Sequence, residues 1–168
     1  MRAIVHSALL LAWGGLAIAQ STQPLFRIER TKNANQLYYE ANIMPNGKID
    51  AKDPVRAYWI MWAKDPSGKT TEGMNWIERN KVYGFNVKPD STGQTFRMTL
   101  KPFPERLIKI YLQGDSARAE MVIDGRPSYF QRMFIFSKGD SKPDSIRLFG
   151  RDRETGERQT ELFLPGNK

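Results

Sequence analysis

Three observations predict a mainly β protein, an antiparallel β-sandwich or partly closed barrel of about nine or ten strands with one short helix near residues 71–81. Short runs of alternating apolar and polar residues recur along most of the chain. Turn residues punctuate those runs, as in Pro45-Asn46-Gly47 and Asp124-Gly125-Arg126-Pro127. One window alone, residues 71–81, fits a helix better than a strand.

The elements follow in order. Residues 25–30 (LFRIER) alternate well enough for a first strand. Over residues 36–44, Leu37, Tyr39, Ala41 and Ile43 share one face and Tyr38, Glu40 and Asn42 the other. Asn46-Gly47 then supplies positions that tolerate positive φ. Residues 55–63 (VRAYWIMWA) are apolar on both faces, the pattern of a central, doubly covered strand. In the helical window Thr70 or Thr71 is the expected cap, Glu72 suits the first turn, and Met74 and Ile77 share a face. From Tyr83 onward the alternation predicts a meander. Its inward candidates include Phe96, Met98 and Leu100, then Ile108, Ile110 and Leu112, then Ala117, Ala119, Met121 and Ile123. Residues 129–137 are aromatic-rich. The last two strands flank residues 152–157, where Gly156 takes the left-handed position. Residues 139–144 (GDSKPD) read as a loop.

Residues 1–19 have the parts of a signal peptide: a positive start at Arg2, an apolar stretch, and Ala17-Ile18-Ala19 as cleavage site. The expected product is one domain over residues 20–168, secreted or periplasmic. Cleavage near Ala19 removes Arg2, which lowers the formal net charge from +8 to +7. It also removes His6, the single histidine, and the chain has no cysteine. A triad, a thiol nucleophile and an imidazole or thiolate metal site are therefore excluded from the mature chain. Neither a cofactor nor a metal is expected. No basic run reaches the length typical of nucleic-acid arms, so nucleic acid is not an expected partner. A basic exported domain meets anionic lipid or glycan of the cell envelope, or an envelope protein.

Three stretches carry a resemblance: residues 25–35 (LFRIERTKNAN), residues 54–62 (PVRAYWIMW), and residues 123–127 (IDGRP) with the closing LFGRDRETGE. On these the chain resembles bacterial exported proteins catalogued as domain of unknown function 4833. The resemblance covers essentially the whole mature chain. It implies a shared fold and no particular reaction, and it carries over no catalytic residue.

The densest polar cluster is Arg27, Glu29, Arg30, Lys32, Asn33 and Asn35. Arg30 falls on the face of Phe26 and Ile28, so it needs an acidic or carbonyl partner, or a ligand. Lys32, Asn33 and Asn35 then lie in a turn suited to an anion, or to local Asx bonds. Tyr58, Trp59, Trp62, Trp76 and Tyr83, interleaved with Asn75, Arg79 and Asn80, form either a platform for a sugar or acyl chain, or core. The expected ligand-binding residues are Arg27, Arg30, Lys32, Asn33, Asn35, Trp76 and Arg79. The leading expectation is a non-enzymatic envelope domain that binds an anionic or amphipathic ligand or surface. Two alternatives stand beside it. One is a glycan hydrolase using carboxylates among Glu120, Asp124, Glu72 and Glu78. The other is a protein-interaction module with an apolar patch around Trp76 and Tyr83.

Overall fold

A computed structural model describes residues 21–138 and 143–164. The expected signal segment, and residues 139–142 of the expected loop, lie outside the described residues. Eleven strands follow in order: β1 (Ser21–Arg30), β2 (Asn33–Ile43), β3 (Val55–Ile60), β4 (Thr71–Gly73), β5 (Phe85–Pro89), β6 (Phe96–Leu100), β7 (Phe103–Gln113), β8 (Ser116–Ile123), β9 (Arg126–Phe136), β10 (Ser145–Asp152) and β11 (Arg158–Phe163). Nine of them run β4-β3-β2-β1-β9-β8-β7-β6-β5 in one sheet curled into a half-barrel, with β10 and β11 added alongside β9.

The inner face carries the core, and the two-residue period puts it there. Leu37, Tyr39, Ala41 and Ile43 of β2 are buried, as are Phe96, Met98 and Leu100 of β6 and Ala117, Ala119, Met121 and Ile123 of β8. Phe26 stacks on Tyr39 at 4.5 Å and meets Phe130 at 4.7 Å, which joins β1, β2 and β9. Buried side by side, these aromatic rings contribute more than their area alone.

β9 is where the sheet divides. β10 pairs along β9 from Ser128 to Phe136. On the other edge β8 holds residues 126–129 antiparallel, and β1 holds residues 132–135 in parallel. A strand has two edges, so β8 and β1 share one of them and diverge like the arms of a fork. The register shifts where the partner changes: Arg132 faces Phe149 and Phe130 faces Gly150. Gln131 is the extra residue of this bulge, so burial switches from Ser128 and Phe130 to Met133. A side chain at Gly150 would sit 2.6 Å from both Ile123 Cδ1 and the Tyr129 carbonyl, so glycine alone fits the junction. Between the arms Gln23 replaces the missing ladder. Its amide donates to the Asp115 carbonyl at 2.8 Å and accepts from Ala117 N–H at 2.6 Å.

Two expectations are corrected. Residues 55–60 do not form a central strand: β3 has only the three-residue β4 beyond it. Its second apolar face is covered by side chains instead of a second layer, with Tyr58 stacked on Tyr38 at 6.3 Å and beneath Arg56 at 5.1 Å. The helix is later and shorter than residues 71–81. Thr71, Glu72 and Gly73 pair with β3, because β3 offers them a free edge. Trp76 and Ile77 open a helical turn that continues as a π-helix over Glu78–Val82. Asn75 and Glu78 start it reciprocally, each side chain accepting the other's backbone N–H at 2.9 Å. Tyr83 N–H closes it on the Glu78 carbonyl at 2.7 Å.

Candidate functional site

A cleft of about 390 Å³ lies where β1 and β9 end. Ile28 and Arg30 of β1, Met133 and Ile135 of β9, Leu100 and Phe103, and the turn residues Glu78, Lys81, Val82 and Tyr83 line it. The inward alternation of β1 and β9 puts Ile28, Met133 and Ile135 there. A register shift between Ile28 and Arg30 ends the regular pairing of β1 with β2 just where Arg30 enters the wall.

Arg30 is held by neutral partners. Its guanidinium lies 4.4 Å over the Trp59 ring. Nη1 donates to the Tyr83 hydroxyl at 3.2 Å, and Nε donates weakly to Asn33 Oδ1 at 3.4 Å. Among the described residues no carboxylate pairs with it. The carboxylate in the described wall, Glu78, is turned back to cap Asn75 N–H. Lys32 and Lys81 stand in the same wall, both exposed. The cleft is thus apolar inside and cationic at its rim.

Beneath it, Tyr39 fixes the turn to the sheet. Its hydroxyl, fully buried, donates to the Tyr83 carbonyl at 2.7 Å. Burial, then the neighbouring Tyr83, hold this phenol well above the ordinary value of 10.0. Gly84 completes the exit, because a side chain there would collide with the Arg79 carbonyl.

The expected ligand residues divide between several places. Arg30 and Lys32 line the cleft. Arg27 points to the opposite, convex face, where Glu29 accepts from its Nε at 2.7 Å and from Arg132 Nη1 at 2.8 Å. Asn33 and Asn35 act on the backbone: Asn33 Oδ1 accepts Asn35 N–H at 3.1 Å, and buried Asn35 accepts Ala63 N–H at 2.9 Å. Trp76 and Arg79 are exposed on the turn, outside the cleft lining. The aromatic set also separates. Trp59 and Tyr83 meet edge-on in the core at 5.2 Å, and Tyr58 lies on the convex face with Tyr38. Lys81 and Val82 of the wall were missed, although Lys81 was within the window read as a helix. Their role depends on the π turn, which leaves no sequence period.

Among the described residues no group of three or more His, Cys, Asp and Glu side chains is placed to hold a metal ion. Of the carboxylates named for hydrolysis, Glu78 alone lines the cleft, and the other three lie apart from it. Glu120 is buried beneath Tyr111 and Arg153: Tyr111 Oη donates to it at 2.9 Å and Arg153 Nη1 at 3.4 Å. Asp124 lies in the exposed β8–β9 turn with φ 51°. Glu72 pairs with Lys64 at 2.5 Å on open surface.

The family model described as Domain of unknown function (DUF4833) matches residues 26–161, which spans β1 to β11 and the whole wall of the cleft. The chain belongs to the DUF4833 family. No curated protein and no solved structure matches it. Every residue that lines the cleft, from Ile28 to Ile146, therefore falls within the DUF4833 match.

Proposed function

We propose that this DUF4833 chain is an exported, non-enzymatic domain that binds an amphipathic anion in the cleft where β1 and β9 end. One observation carries the reading: a guanidinium with no carboxylate partner among the described residues stands in the wall of a largely apolar cleft. An apolar tail lies along Ile28, Leu100, Phe103, Met133 and Ile135. The anionic head meets Arg30 and Lys81. Partly desolvated charge pairs of this kind are stronger than exposed ones, and apolar burial supplies the rest. The leader-like residues 1–19 and the net positive charge support the compartment assigned to it.

The test compares myristate with myristyl alcohol and with butyrate by titration calorimetry. Both halves of the ligand are needed on this reading. Myristate binds, and the alcohol and the short acid bind at least about tenfold more weakly, a difference of ~1.4 kcal/mol. Arg30→Ala lowers myristate affinity by a similar factor. Among the described residues it strands no carboxylate, so the ~3–5 kcal/mol that follows breaking a buried ion pair is not incurred. Equal affinity for acid and alcohol, or no binding of myristate at low salt, overturns the proposal.

A further inference from the structure

The turn that walls the cleft shows apolar side chains that its own packing does not use. Met74 and Tyr83 anchor its two ends in the core, 8% and 7% exposed. Between them Trp76 is 71% exposed and Ile77 61%, and Val82 follows at 39%. The reciprocal bonds of Asn75 and Glu78 hold the start of the turn, so Trp76 and Ile77 are presented on a fixed backbone. A π-helical segment of this kind is uncommon and is frequent at functional sites.

The charge around this tip is mainly positive. Arg79 and Lys81 are exposed on the same turn, and neither has an ion-pair partner among the described residues. Lys101 joins them through its bond to Asn80 Oδ1 at 3.3 Å. The acid of the turn, Glu78, is spent on the Asn75 N–H. A tryptophan and an aliphatic residue projecting from a cationic collar match the border between headgroups and acyl chains of an anionic bilayer. There the indole prefers the interface, and cations gain from the surface potential.

We propose that the 76–82 turn docks the protein on an anionic lipid bilayer, with Trp76 and Ile77 inserted at the interface and Arg79, Lys81 and Lys101 on the headgroups. Glu78, Lys81 and Val82 belong to both the turn and the cleft, so docking brings the cleft mouth to the lipid surface. That last step rests on the cleft reading above; the docking does not.

The test is vesicle flotation with the protein recovered after expression of the full chain. Vesicles of equal parts phosphatidylglycerol and phosphatidylcholine are compared with pure phosphatidylcholine. The wild type floats with the anionic vesicles, at least about tenfold more tightly than with the neutral ones. Its tryptophan emission shifts to the blue, because Trp76 is the exposed indole among those described. Trp76→Ser with Ile77→Ser lowers vesicle affinity at least about tenfold and abolishes the shift, while myristate binding persists; Arg79→Glu also weakens vesicle binding. Arg30→Ala does the reverse, losing myristate and keeping vesicles, so the two proposals fail separately. Equal flotation of wild type and the double variant overturns the docking proposal, as does equal affinity for neutral vesicles or no flotation at all. Binding driven by residues 1–19 would appear as the first of these outcomes.

Discussion

Removal of one oxygen atom, in Tyr39→Phe, tests how the turn is tied to the sheet. The ring keeps its stacking on Phe26 and its edge contact with Phe85 at 5.7 Å, so no cavity opens. What disappears is the 2.7 Å bond to the Tyr83 carbonyl, which leaves a buried acceptor without its donor. Such a loss costs about 1–3 kcal/mol. The pH dependence adds a second, signed expectation. In the unfolded chain Tyr39 ionises near 10, whereas burial keeps it protonated in the native state well above that value. The native state then binds one more proton than the unfolded state, so stability falls as pH rises through 10. By about pH 11 ionisation has favoured the unfolded wild type by roughly 1.4 kcal/mol relative to pH 8, and phenylalanine has no proton to lose. Urea unfolding of both proteins at about pH 8 and 11 measures this, with the linear extrapolation applied to each. Wild type is the more stable at pH 8, and its advantage shrinks or vanishes by pH 11. Other raised tyrosines, Tyr58 and Tyr111, are present in both proteins and cancel. An advantage that stays constant between the two pH values refutes the burial argument. No advantage at pH 8 refutes the hydrogen bond.

Three further outcomes follow from the same geometry. Gly84→Ala drives a methyl group into the Arg79 carbonyl, so the π turn reorganises: myristate and vesicle binding both fall, with a lowered melting temperature read by circular dichroism. Gln23→Leu removes both bonds across the fork and orphans Ala117 N–H; a loss of about 1–2 kcal/mol in urea unfolding and faster amide exchange at Ala117 are expected. Asp65 accepts hydrogen bonds from the Ser67 hydroxyl at 2.6 Å, Ser67 N–H at 2.9 Å and Thr70 N–H at 3.0 Å, and these hold its carboxyl down at about 2. A depressed native value stabilises above the unfolded value near 3.8 and is lost as pH falls through about 2. The difference in melting temperature between wild type and Asp65→Ala is thus largest above pH 4 and narrows towards pH 2.

Much of the fold was legible because the side-chain period of a strand is local. The four residues assigned to the inner face of β2 are all buried, and so are the four of β8. Strand partners are not local, and there the sequence falls silent. Nothing near residues 25–30 announces that β1 takes a parallel neighbour about a hundred residues away, or that this neighbour bulges to receive it. The doubly apolar run of β3 misled for a physical reason. Tyr58 and Arg56 shield its outer face as a second layer would, and alternation alone does not tell the two apart. Of the candidate site, Arg30 was legible from its parity with Phe26 and Ile28. The separation of Arg27 from it follows from the same parity. The part played by Lys81 and Val82 was not, because it arises from a turn whose π-type closure depends on the buried Tyr39 beneath it.

The fork in β9 also sets the order in which the protein becomes itself. The arms, β1 and β8, are made first, and the strand that joins them comes only with residues 126–136. Until then β1 has β2 as its sole ladder partner, and one of its edges stays open. Joining strands so far apart in sequence is entropically slow, and open edges invite pairing with other chains. A ribosome that has released residues 21–125 has therefore made two unfinished sheets and no barrel. The half-barrel can close only once residues 126–136 are available, and any partner that holds the chain before that moment holds it with the β1 edge still open.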